Sequence, residues 1–244
     1  MTSWQAANLR LTAFTVSPLK ISDPAWWEEI VGQPAETKLQ KALVRQETAP
    51  FENGKLSLAI HSGRIDWTFN SPDVTGENVE QLPLIGLFPE SLEKFSKITH
   101  AWLSAKSCPP LKRMAFGAIL WQPVTDVKTG YRNMASHLPF VEVDVEGSSD
   151  FLYQINRPRM SKRGIPGLKI NRLSKWSVGT IKLVGLEAAT QQNVASHQET
   201  FCSLEMDINT DLEFSGELPQ GKLSEIFREL IDLGSEIAEK GDTA

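Results

Sequence analysis

No apolar run in the 244 residues approaches the length needed to cross a membrane. The opening MTSWQAANLR lacks the basic-then-apolar layout of a secretory leader. Cysteine is scarce. Cys108 and Cys202 are too few for a disulfide framework and show no metal-ligand spacing. The histidines, His61, His100, His137 and His197, share no pattern such as HxxxH. A Walker loop, a GxGxxG turn after a strand and a GxSxG elbow are all missing. Low-complexity tracts are absent too, and only Lys240 to Ala244 reads as a loose tail. These absences argue against a membrane-spanning chain, a disulfide-stapled secreted module and the commonest nucleotide- and serine-dependent enzymes. They lead to the expectation of a cytoplasmic protein with reduced thiols and no cofactor.

One local absence is sharper. From Phe151 to Val184 there is no Asp or Glu, yet the stretch holds Arg157, Arg159, Lys162, Arg163, Lys169, Arg172, Lys175 and Lys182. The whole chain carries a formal net charge of −5, so removing these eight cations leaves −13 for the rest (−5 − 8). Such asymmetry points to an anionic partner, either a nucleic acid or an acidic protein surface, or to acidic strands of the same sheet. Within the stretch, alternating residues predict two strands, at 153–156 and 168–173, separated by turn-forming Pro158, Gly164, Pro166 and Gly167. Ile-Asn-Arg occurs at 155–157 and again at 170–172. An antiparallel pairing brings Arg157 near Arg172, and two guanidinium groups repel unless an anion or carboxylate sits between them.

The remaining pattern predicts an α+β fold with a largely antiparallel sheet. Leu9 to Val16 reads as a first strand. Asp23-Pro24 is placed to open a short helix ended by Gly32, with adjacent Trp26 and Trp27 pointing about 100° apart, one to the core and one outward. A meander follows at 43–47, 56–60 and 65–69, with a hairpin signal at Asn53-Gly54. Pro89 to Lys106 and Lys222 to Lys240 are amphipathic helices, the second with Leu223, Ile226, Phe227, Leu230, Leu233 and Ile237 in one stripe. Between them come an apolar strand at 114–121, a helical turn at 131–137, and strands at 141–146, 151–156, 168–184 (broken near 177–179) and 201–209. The chain therefore reads as one domain, 1–244, built as two similar halves, 1–110 and 111–244, each a β-α-β-β-β-α unit, with both long helices on one face of the sheet. The alternative is a helix-grip fold, one curved sheet wrapping the last helix.

Two strands carry acids at period two: Glu142, Asp144 and Glu146, then Glu205 and Asp207. Clustered carboxylates are oxygen ligands for Mg²⁺ or Mn²⁺, so Asp144, Glu205 and Asp207 are the candidate ligands of a metal-dependent phosphodiesterase. A solvated sheet face explains the same rows. The segment Gly164-Ile165-Pro166-Gly167 matches the GxxG of KH modules, but strands rather than helices flank it. Trp67, Trp102 and Trp121 are candidates to line a small-ligand pocket between sheet and helices.

The apolar strand after a long helix, LKRMAFGAILW, and the strand Leu204-Glu205-Met206-Asp207-Ile208-Asn209 before a closing amphipathic helix resemble a sporadically distributed prokaryotic family of uncharacterised proteins. That family has a Leu-Asp-Ile-Asp-type strand here; this chain matches it in part. The resemblance implies a bacterial accessory protein and no particular activity. The leading expectation is a non-catalytic binding or assembly module, with a protein partner, a second copy or a nucleic acid engaged by Arg157, Arg159, Lys162, Arg163, Lys169, Arg172 and Lys175. Metal-dependent phosphodiesterase and small-ligand binder are the alternatives.

Overall fold

Period-two alternation decides which side of each strand is dry. In strand β1 (Gln5–Thr15), Leu9, Leu11 and Ala13 are fully buried, while Asn8, Arg10 and Phe14 face the other way and are half-buried. The computed structural model describes residues 3–22, 25–72, 82–186 and 193–242, with backbone alone for 183–186 and 193–197. The further strands are β2 (Thr37–Lys41), β3 (Val44–Phe51), β4 (Gly54–His61), β5 (Arg64–Asn70), β6 (Gly86–Leu87), β7 (Leu111–Val124), β8 (Leu152–Asn156), β9 (Arg159–Met160), β10 (Lys169–Leu186) and β11 (Asn193–Thr210). They form one open sheet in the order β2-β3-β4-β5-β1-β7-β11-β10-β8, with β6 on β1 and β9 on β10. Every described pairing is antiparallel. From the central β1–β7 pair the order runs outward as β5, β4, β3, β2 on one side and β11, β10, β8 on the other.

The helices are α1 (Trp26–Val31), α2 (Phe88–Ser104), α3 (Val127–His137) and α4 (Leu223–Lys240), the last entered through a 3-10 turn at Gln220–Lys222. All four lie on the dry face. Ala6, Leu120, Leu204 and Trp176 occupy one cross-strand row beneath them, and all are buried. Trp27 stacks on Trp67, Phe227 meets Phe116 edge-on, and Gly130 of α3 lies against Val178. Helices α2 and α4 run antiparallel. His100 Nδ1 is 2.8 Å from Ser224 Oγ at one end. At the other, the Trp4 indole donates to the Ala238 carbonyl at 3.0 Å while Phe88 N donates to the Trp4 carbonyl at 3.0 Å. At Gly234 α4 comes so close to the sheet that a Cβ would lie 2.9 Å from the Phe116 ring.

Several local expectations change. Trp26 and Trp27 are both buried, because α1 is covered by α2 as well as by the sheet: Trp26 meets Trp102 edge-on. Asp23 and Pro24 fall outside the described residues; Ala25 holds the cap position with no side-chain bond, and Gly32 ends the helix at φ 75°. β10 runs unbroken through Ser177–Gly179, where Phe201 packs over Gly179 and fills the gap left by its missing side chain. No strand forms at 141–146. Asp144 instead accepts the backbone N–H groups of Glu146 and Gly147, a turn bond that competes with a ladder. β2 was not foreseen; all five of its residues are exposed, so no burial pattern marks it.

Leu230 is fully buried on α4. Leu230→Ala is expected to cost about 2–5 kcal/mol by cavity formation, read as a fall in denaturation midpoint at constant slope.

Candidate functional site

The basic segment folds back on the end of the chain. β8 pairs with β10, and Arg157 N donates to the Arg172 carbonyl at 3.3 Å, so the two Ile-Asn-Arg repeats do lie side by side. Carboxylates sit among the guanidinium groups. Arg157 donates to both oxygens of Asp242, at 2.6 and 2.9 Å, and the Tyr153 hydroxyl joins at 2.8 Å. Arg159 bonds Glu236 at 2.8 Å, and Arg172 lies 3.8 Å from the same carboxylate. Arg163 is 3.7 Å from Glu229 and 3.9 Å from Asp232. Glu229 also accepts Lys162 N and Ser161 Oγ, each at 2.7 Å. Lys175 pairs with Glu205 at 2.9 Å. Lys162 and Lys169 have exposed side chains and form no ion pair among the described residues. The loop with Gly164 and Gly167, both at positive φ, is thus stitched to α4. Glu229, Asp232 and Glu236 recur three and four apart, a helical row in the sequence that marks where the arginines go.

Arg172 is 2% exposed, and none of its guanidinium nitrogens has a hydrogen-bond partner. Burial pulls its pKa down, with Arg159 and Arg157 adding repulsion and Glu236 and Asp242 opposing. Asp242 has its pKa lowered, chiefly by the Arg157 hydrogen bond.

The acidic candidates separate. Asp144 sits in its turn after α3, whereas Glu205 and Asp207 stand on the sheet face that carries no described helix. Among the described residues no group of three His, Cys, Asp or Glu is placed to hold a metal ion. The tryptophans separate too. Trp67 and Trp102 are 0% exposed within the core, and Trp121 stacks on Phe201 on the opposite face. Cys108 and Cys202 are unpaired and buried, their thiols pushed up to about 12 by desolvation. No described helix is long and apolar enough to cross a membrane.

A wide concavity lies where no motif pointed. A groove of about 760 Å³ runs along the outer surface between α2 and α4. Its floor is Trp4, Phe88, Leu92, Ile231 and Ala238. Because the helices are antiparallel, Lys97 and Arg228 share one level near His100, and Glu93 and Asp232 share the next; Glu239 lies toward Phe88. Lys97 is bonded to Glu93 at 2.9 Å, so the net positive charge at that end is carried by Arg228, and Asp232 and Glu239 make the other part of the rim anionic. The signal was present in the sequence as a second facing row on each helix, Leu92, Ser96 and His100 on one and Arg228, Ile231 and Ser235 on the other.

No family model, curated protein or solved structure matches this chain. The geometry therefore stands alone. Its concave surfaces among the described residues include the helix groove and a smaller polar hollow of about 300 Å³ on the opposite sheet face.

The clasp at Asp242 yields a pH prediction. Its folded pKa lies below the ordinary 3.8, so the unfolded chain takes up that proton first as pH falls. The stabilisation is complete above pH 3.8 and is lost as pH drops through the folded value. Urea titrations between neutral pH and pH 2 are expected to show this loss, and Asp242→Asn is expected to be less stable at neutral pH and to lose less on acidification.

Proposed function

We propose that the chain is a non-catalytic binding module that captures an amphipathic helix of a partner protein in the groove between α2 and α4. The observation that carries this reading is the groove's pairing of an apolar floor with a charge gradient along its length. A helix laid in such a groove buries one apolar stripe and matches its flanks to the rim. The matching helix is acidic at the end beside Arg228, where Lys97 can exchange its Glu93 partner for one on the helix, and basic at the end beside Asp232 and Glu239. Rim charges set orientation and association rate more than affinity, while the floor supplies most of the energy.

The outward strand order on each side of β1–β7, with a long helix closing each half, supports reading 1–110 and 111–244 as copies of one β-α-β-β-β-α unit. On that reading α2 and α4 are equivalent, and the groove is the seam between the copies. Unpaired thiols fit a cytoplasmic protein. The likeness to a sporadic prokaryotic family, and with it a bacterial accessory role, rests on the sequences of β7 and β11. The nucleic-acid reading loses support, since α4 and Asp242 already neutralise most of the arginines it needs.

The test uses two fluorescent helical peptides with the same leucine stripe, one carrying Glu at the first end and Lys at the second, the other reversed. Only one orientation of a helix also satisfies its own dipole, so reversal is not symmetric. The Glu-first peptide is expected to bind more tightly, with a preference that shrinks at high salt and reverses in a Lys97→Glu/Arg228→Glu variant. Ile231→Asp is expected to remove binding of both. Equal binding of the two peptides by wild type, or stabilisation by dodecanoate but by neither peptide, would reject a helix as the occupant.

A further inference from the structure

The sheet face opposite the helices holds a hollow that is separate from the helix groove. Arg10, Gly117 and Asp207 stand in one cross-strand row on β1, β7 and β11. The middle position has no side chain, and the Arg10 guanidinium lies across it: a Cβ at Gly117 would sit 3.1 Å from Nη2 and 3.2 Å from Nε. Glycine is thus the platform for a flat cation. The Nε of Arg10 is buried without a hydrogen-bond partner, and Arg10 forms no ion pair among the described residues. On the other side of Gly117 in the same row, Asp207 accepts one bond, from Asn209 Nδ2 at 2.9 Å, and has no cation partner among the described residues. Its neighbour Glu205 is already held by Lys175. A half-buried cation and a half-buried anion therefore face the same hollow of about 300 Å³ without meeting, and Ile119 and Leu173 supply apolar wall.

Opposite charges left apart beside a hollow of ligand size are what a small dipolar guest satisfies. We propose that this hollow binds a zwitterion of the α-amino-acid type. Its carboxylate lies against the Arg10 fork, which suits two parallel N–H···O bonds. Its ammonium lies against Asp207, and its side chain rests on Ile119 and Leu173. A simple anion satisfies Arg10 but leaves Asp207 facing a like charge; a simple cation does the reverse. A ligand with both charges avoids either cost.

The experiment measures thermal unfolding and calorimetric titration of the full chain with each of the twenty standard amino acids, and with acetate and methylammonium as single-charge probes. At least one amino acid is expected to bind saturably and raise the Tm, while its N-acetyl and its amide derivatives bind roughly 10- to 100-fold more weakly. Arg10→Met and Asp207→Asn are each expected to weaken it to a similar extent. Gly117→Ala keeps both charges but lifts the guanidinium from its platform, and is expected to weaken binding without loss of fold. Acetate binding as tightly as the amino acids, with Asp207→Asn improving it, would replace the zwitterion by a plain anion. Saturation by none of the probes overturns the site. Neither result bears on the peptide groove, which lies on the other face.

Discussion

The structure depends on keeping one side of a very wide sheet dry. Nine strands side by side at about 4.8 Å spacing span roughly 40 Å, and a strand can bury only alternate residues. Four helices on one face remove that side from water, and the large aromatics cluster there: Trp27, Trp67, Trp102, Trp176, Phe95, Phe116 and Phe227 are among the largest fully buried side chains. The other side keeps polar groups that bond one another across strands, as in the run from Asn156 through Asn171 and Asn209 to Asp207. Both proposed sites follow from this division. The helix groove is the outer surface of the cover, and the zwitterion hollow is the wet side left without one.

The buried Arg172 is the costliest element of the design. A guanidinium with no hydrogen bond, beside two other arginines, is stable only because Glu236 and Asp242 supply charge nearby. That need ties the end of the chain to β8 and to α3, where Asp242 N donates to the His137 carbonyl at 2.9 Å. Electrostatics here closes the fold more than it displays a surface.

Much of the scaffold was legible because long periodic segments announce themselves. The α4 stripe and the 56–60 and 65–69 alternations were read nearly to their ends. What escaped was set by single local bonds, by exposure without a pattern, or by partners distant in sequence. The loss of a strand at 141–146 hinges on one Asp144 turn, and exposed β2 has no pattern to show. The basic stretch was found but its destination was not, because the acids that meet it lie some seventy residues later on a helix read for its apolar stripe. The groove and the Arg10–Gly117–Asp207 row had no motif at all: each is made by register between strands or helices, which composition does not record.

The position of α4 after the strands it covers has a consequence for biosynthesis. β7 and β11 are central strands, and α4, which packs on both, leaves the ribosome after them. Until it emerges, Phe116 and Ile208 lack the helix that packs on them, and a nascent chain holding uncovered central strands is open to wrong pairing. Proteolytic clipping ahead of α4 would return the molecule to that state. It would also leave Arg157, Arg159 and Arg172 without their carboxylates, so the trimmed product would present the positive surface that Glu236 and Asp242 now neutralise.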